Sequence, residues 1–191
     1  MGELQRHQEL CRRFATLLGY PREGLEETAA ATAGLLSEAC PAALAPLEGF
    51  SGFLAGTDAA RVEEVFTATF DLQALCHPYV GYQLFGESQQ RTLFLIQLQQ
   101  LYRQHGFSPG SELPDHLGEV LRFVGSTDAG QVRGEIIEDG LLPALDKILQ
   151  GMAERDNPYG QLITALQCFL SETAATGTEP LVVSRKKESC S

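Results

Sequence analysis

Nothing in this chain comes in the pairs or runs that metal sites, leader peptides and membrane spans require. The five cysteines, Cys11, Cys40, Cys76, Cys168 and Cys190, are scattered with no C-x-x-C spacing. That argues against a structural zinc site and against a secreted disulfide framework. An odd number of separated thiols suits a reducing cytoplasm. The run from Met1 to Arg6 has no apolar signal core, and no apolar stretch is long enough to cross a bilayer. Basic residues are scarce: 14 Lys+Arg stand against 25 Asp+Glu, a formal net charge of −11. Nucleic-acid binders need a basic patch to neutralise phosphates, and the one basic run, Arg185-Lys186-Lys187, lies in a polar tail. An acidic surface favours basic partners and repels anionic lipid. The expectation is a cytoplasmic protein that binds no nucleic acid and inserts into no membrane.

Catalytic signatures are missing as well. There is no G-x-S-x-G elbow, no H-E-x-x-H, no P-loop and no dinucleotide-binding glycine pattern. Cys76 and His77 are adjacent, and chain neighbours seldom face each other as nucleophile and base. Glu63-Glu64, and Glu135 with Glu138 and Asp139, fall at solvent-type positions of helices. Glu112, Asp115 and His116 could hold a divalent ion, but at a helix start such residues commonly serve as caps. No catalytic residue, no metal and no permanently bound cofactor are expected.

What is present is helical periodicity. Leu4, Cys11, Phe14 and Leu18 share one face of a first helix, ended by Gly19-Tyr20-Pro21. An alanine-rich helix runs from about Glu23 to Cys40, and a third, interrupted by Gly49 and Gly52, has doubtful continuity. Asp58 is a good N-cap for a helix burying Val62, Val65, Phe66 and Phe70. Residues 71–86 read as irregular and aromatic-rich. Ser88 opens a helix with Phe94, Leu98 and Leu101 in one stripe and Gln97, Gln99, Gln100 and Gln104 on the wet side; Gly106 ends it.

Pro114 and Asp115 suit the first turn of the next helix, the proline because it lacks the N–H and the aspartate because of the helix dipole. Ile137, Leu141, Leu145, Ile148 and Met152 mark a further helix, and Tyr159, Leu162, Ile163, Leu166, Phe169 and Leu170 mark the last. No segment alternates like a strand. The reading is an all-α, single-domain bundle over 1–172, with a disordered polar tail over 173–191. A domain of this size buries roughly 70% of its unfolded surface and needs no staple.

Tyr79, Tyr82 and Phe85 lie in a stretch bearing Pro78, Gly81 and Gly86. Such aromatics either fill a core or line a groove that accepts a partner helix; the residues themselves leave both open.

The order of several motifs resembles the delta-subunit family of respiratory nitrate reductases, the NarJ-type molybdenum-cofactor assembly chaperones, which share an all-helical fold with TorD-type chaperones. Leu17-Leu18-Gly19-Tyr20-Pro21 looks like an L-L-x-Y-P stop, and Glu63 to Asp71 like a helix ending in F-D. Cys76 to Tyr79 followed by Gly86-Glu87-Ser88-Gln89-Gln90-Arg91 is similar to the C-x-x-Y segment and G-[DE]-S-x-x-R helix start. Tyr102-Arg103, Gly106 and Glu112-Leu113-Pro114-Asp115-His116-Leu117 are similar to Y-R-x-x-G and E-L-P-D-[YH]-L, and Asn157-Pro158-Tyr159 to an S-P-Y helix start. The loop from Val80 to Phe85 departs from the family's more polar L-T-x-H pattern, and the chain lacks a long acidic extension.

The resemblance implies a system-specific chaperone that binds the N-terminal peptide of a molybdoenzyme catalytic subunit, nitrate reductase or a close relative. It would keep that client open for insertion of molybdopterin guanine dinucleotide, as a monomer or a dimer. On this reading Asp71, Tyr79, Tyr82 and Phe85 form the peptide-binding site, and Glu112, Pro114, Asp115 and His116 form a hinge. A permanent structural subunit of a redox complex, or a nucleotide-binding hydrolase using Asp115 and His116, are the rival expectations.

Overall fold

The computed structural model describes residues 2–72, 76–152 and 156–177, and the regular structure within them is helical. Helices α1 (Glu3–Leu17) and α2 (Leu25–Ala39) pair through a short turn, with Arg6 of α1 bound to Glu38 of α2 at 2.7 Å. The turn closes on Gly24, whose φ of 86° is left-handed and favours glycine. Helix α1 buries Leu10, Cys11, Phe14 and Leu17, whereas Leu4 at its first turn is exposed, contrary to the stripe expected.

Helix α3 (Leu44–Ala55) is continuous across both of its glycines. Gly49 serves a packing purpose there: the side chain of Gln161 fills the space a Cβ would occupy. Bare backbone at that point lets the last helix approach closely, and the contact outweighs glycine's poor helix propensity. Helix α4 (Ala59–Phe70) starts as expected, with Asp58 accepting from the Arg61 N–H at 3.0 Å, and buries Val62, Phe66 and Phe70.

Helix α5 (Val80–Phe85) occupies the segment expected to be irregular; six residues are too few to show a period. Helix α6 (Gln89–Gln104) follows the Ser88 cap and stops at Gly106. Helix α7 (Leu117–Val124) begins later than expected: Pro114 and Asp115 stay outside it, and His116 is its N-cap, Nδ1 accepting from Gly118 N–H at 3.1 Å. Helix α7 is buried on almost every side, with Arg122 its one exposed residue. At its end Gly125 admits α1, where a Cβ would meet the Gln8 carbonyl oxygen at 2.8 Å.

The expected helix around Ile137 is longer and less regular. Helix α8 (Gly130–Glu135) passes through a π turn (Ile136–Leu141) into α9 (Leu142–Met152) without a break. Helix α10 (Pro158–Gly177) runs past the boundary expected at residue 173, and the remainder of the expected tail, 178–191, lies outside the described residues. Among the described residues no helix is long and apolar enough to cross a membrane.

Tyr159 sits at the junction of α3, α4 and α10. It is fully buried, with Phe50, Phe70 and Phe66 at ring-centroid distances of 5.1, 5.2 and 5.7 Å. Its hydroxyl is buried and meets no hydrogen-bond partner among the described residues. An unmet buried hydroxyl costs on the order of 1 kcal/mol or more. Tyr159→Phe should therefore raise stability by about 1 kcal/mol, whereas Tyr159→Ala should lose about 3–5 kcal/mol to the cavity. Urea unfolding followed by circular dichroism measures both; a Phe variant less stable than the parent would show that the hydroxyl has a partner.

Candidate functional site: a clasped aromatic ridge

The stretch before α5 and the stretch before α7 meet side by side. Tyr79 and His116 form an isolated antiparallel bridge: Val80 N–H donates to the Asp115 carbonyl and Leu117 N–H to the Pro78 carbonyl, both at 2.7 Å. These bonds satisfy backbone groups just ahead of two helix starts, where intrahelical partners are lacking.

Beneath the bridge lies an ion pair. Asp115 is fully buried, and Arg91 of α6 reaches it with Nε at 3.0 Å and a terminal nitrogen at 3.4 Å. The arginine side chain retains 17% of its exposure. Its guanidinium packs over the rings of Tyr79 and Tyr82, 5.5 and 5.6 Å from the centroids. Gly81 makes room for this arrangement; a Cβ there would stand 2.8 Å from both Asp115 Oδ2 and Phe94 Cδ1.

Surrounding contacts fix the rest. Tyr79 Oη donates to Glu112 at 3.4 Å, and its ring meets His116 edge-on at 5.4 Å. Burial and the neighbouring Glu112 raise the Tyr79 phenol above its ordinary pKa, so it stays neutral. His77 packs edge-on to Tyr82 at 5.3 Å and hydrogen-bonds through Nδ1 to the Phe70 carbonyl at 2.9 Å, which requires a proton on that nitrogen. Lys147 of α9 donates to the Gln83 carbonyl at 2.7 Å and holds the end of α5. Tyr102 Oη, buried, donates to the Pro114 carbonyl at 2.8 Å. Phe85 closes the ridge: 43% exposed, it leans on Phe94 at 5.7 Å.

Tyr79, Tyr82 and Phe85 are thus brought together on one ridge, half-buried at one end and exposed at the other. Asp71 is exposed and stands elsewhere: its charge acts on Tyr20, whose hydroxyl donates to Glu63 at 2.8 Å. Among the described residues no hydrogen bond or ion pair joins Asp71 to the ridge. Glu63 in turn lines a hollow of about 480 Å³ together with Glu23, Glu26, Glu27, Leu54 and Val62. Tyr79, Tyr82 and Phe85 are not among the residues that line it.

Glu112, Asp115 and His116 do not converge. Each is committed to a different partner: Tyr79, Arg91 and the Gly118 N–H respectively. Among the described residues no group of three acidic, histidine or cysteine side chains could hold a metal ion. Two of the thiols offer little nucleophile: burial pushes Cys40 up to about 11 and Cys11 up to about 12.

Sequence reasoning missed Arg91 as a site residue and assigned Asp115 to a helix turn. The signal was present as two opposite charges, Arg91 at the end of Gly86–Arg91 and Asp115 within Glu112–Leu117. Nothing local couples positions 24 residues apart.

Architecture and site together define an all-helical protein that presents an aromatic surface over a neutralised ion pair. The chain belongs to the nitrate reductase delta subunit family, whose model matches residues 33–175. Over 108 residues it is 29% identical to the "Probable nitrate reductase molybdenum cofactor assembly chaperone NarJ" of Bacillus subtilis (strain 168), a match covering 56% of this chain and 58% of that protein. Among solved structures, a candidate redox enzyme maturation protein from Archaeoglobus fulgidus shares the fold, with a TM-score of 0.59 at 18% identity over 90% of this chain and 96% of the other.

Two predictions test the clasp. Asp115→Ala should cost about 3–5 kcal/mol, because it strands a largely buried guanidinium. Combining it with Arg91→Met should recover most of that loss in urea unfolding. The second concerns His116, whose pKa burial lowers below 6.5 even though Glu112, Glu119 and Asp115 pull the other way. A folded pKa below the unfolded one means that the unfolded chain binds more protons as pH falls. The cap's stabilisation is therefore complete above pH 6.5 and declines below it. His116→Asn, a cap that does not titrate, should flatten the loss of stability between pH 7 and pH 5; an unchanged slope would assign that loss to other groups.

Proposed function

We propose that this chain is a non-enzymatic, cytoplasmic assembly chaperone for a molybdoenzyme of the nitrate reductase kind. It binds the N-terminal peptide of the catalytic subunit and keeps the apoenzyme open until molybdopterin guanine dinucleotide enters. That cofactor belongs to the client; the chaperone holds none of its own. The observation that carries the reading is the ridge of Tyr79, Tyr82 and Phe85, rigidly backed yet graded from half-buried to exposed. Binding hot spots take this form, with aromatic anchors held in place before the partner arrives.

Family membership and the name of the Bacillus subtilis relative support the same reading. The peptide's apolar face would lie on the ridge, and its Arg or Lys residues would face Asp71 and the acidic hollow lined by Glu63. Glu112, Pro114, Asp115 and His116 act as the hinge element of this proposal, since their bonds to Tyr79 and Arg91 make any movement of one stretch a movement of the other. A hydrolytic role for Asp115 is disfavoured by its full burial against Arg91.

Calorimetric titration with a peptide of roughly thirty residues from a molybdoenzyme catalytic subunit tests the proposal. Binding is expected, weaker at high salt, and reduced by more than about 1 kcal/mol in Tyr79→Ala and Tyr82→Ala when circular dichroism shows both variants folded. If no such peptide binds and the chain co-purifies with the mature, metallated enzyme, it is a structural subunit instead.

A further inference from the structure

Helix α6 is apolar on two sides. One stripe, with Phe94, Leu98, Leu101 and Tyr102, faces the protein. On the opposite side Leu93 and Ile96 are 54% and 46% exposed, three residues apart and one turn along the same row. Gln89 and Gln100 extend that row at helical spacing, also exposed. The neighbourhood is depleted of charge in an otherwise acidic chain: between Tyr79 and Ser111 the only charged residues are Glu87, Arg91 and Arg103. Arg91 is committed to Asp115, which leaves one acid at the start of the helix and one base at its end.

This pattern is self-complementary. Place a two-fold axis across α6 between Leu93 and Ile96, with the two helices antiparallel. Leu93 then meets the second copy's Ile96, Gln89 meets Gln100, and Glu87 lies beside Arg103. The two pairs within the helix share one centre, as an isologous contact requires, and Glu87 with Arg103 falls half a residue from it. Two copies of net charge −11 repel over most of their surface, and this is a face where that repulsion is low and the end charges attract. A client peptide rich in Arg or Lys finds no acid here except Glu87. We infer that the outer face of α6 is a docking surface for a second copy of this chain, in antiparallel two-fold register.

A helix of this length extends about 24 Å, and one such pair buries on the order of 1,000 Å² in total, the low end for specific contacts. The dimer is therefore concentration-dependent. It stands apart from the peptide-binding proposal, since titration with a client tests that one and self-association tests this one.

Analytical ultracentrifugation of the full chain over a concentration series is the experiment. A reversible monomer–dimer equilibrium is expected. Leu93→Gln with Ile96→Gln should raise its dissociation constant by more than about tenfold, with helical circular dichroism unchanged because both residues are exposed. Glu87→Lys alone and Arg103→Glu alone should each weaken the dimer, and the two together should restore it, which no merely structural role would produce. A chain that stays monomeric at every concentration, a dimer indifferent to Leu93 and Ile96, or a charge exchange that restores nothing overturns the inference. Should the chain be monomeric while Leu93→Gln with Ile96→Gln weakens client-peptide binding, the face belongs to the client and self-docking is discarded.

Discussion

The buried pair of Arg91 and Asp115 sets the terms for everything around it. A carboxylate taken fully out of water is costly unless paired and hydrogen-bonded, and here one guanidinium satisfies both oxygens. Because the two residues come from α6 and from the stretch before α7, their pairing draws those elements together. It also leaves a flat cation that two tyrosine rings can cover. Gly81 follows from the pair, since any side chain there would compete with the carboxylate for space. So does the late start of α7: the Asp115 side chain is taken up by Arg91, and the capping task passes to His116.

Two regions of the fold differ in character. Around Tyr159 the packing of α3, α4 and α10 is apolar, with aromatic rings on several sides. Around Arg91 it is polar at the centre and aromatic at the rim. An apolar core gains most from volume, whereas a buried polar network gains specificity from geometry. One region is held by apolar packing, and the other fixes the shape of the presented aromatic surface.

Legibility from sequence followed the range of the interactions. The Asp58 cap, the buried row Val62, Phe66 and Phe70, and the buried row from Tyr159 to Leu170 were readable because each is settled within one or two helical turns. The continuity of α3 was not, since Gly49 looks like a defect until Gln161 is seen to lie against it. Helix α5 is shorter than two turns and offers no period to read. Tyr79, Tyr82 and Phe85 were identifiable as a group from their glycine- and proline-bearing stretch, but what backs them comes from positions far along the chain. Asp71 looked like their neighbour because it is near in sequence; its charge acts instead on Tyr20.

The π turn between α8 and α9 has a bearing on how this fold tolerates change. A π turn holds more residues than an α turn, so it acts as a surplus within an otherwise continuous run from Gly130 to Met152. Were that turn to relax to α geometry with every residue kept, everything beyond it would rotate by about 100°. Lys147 would swing off the Gln83 carbonyl, and the end of α5 would lose its clamp. Helical phase past Leu141, and not merely the identity of Lys147, keeps the end of α5 clamped, and the extra residue of the π turn sets that phase.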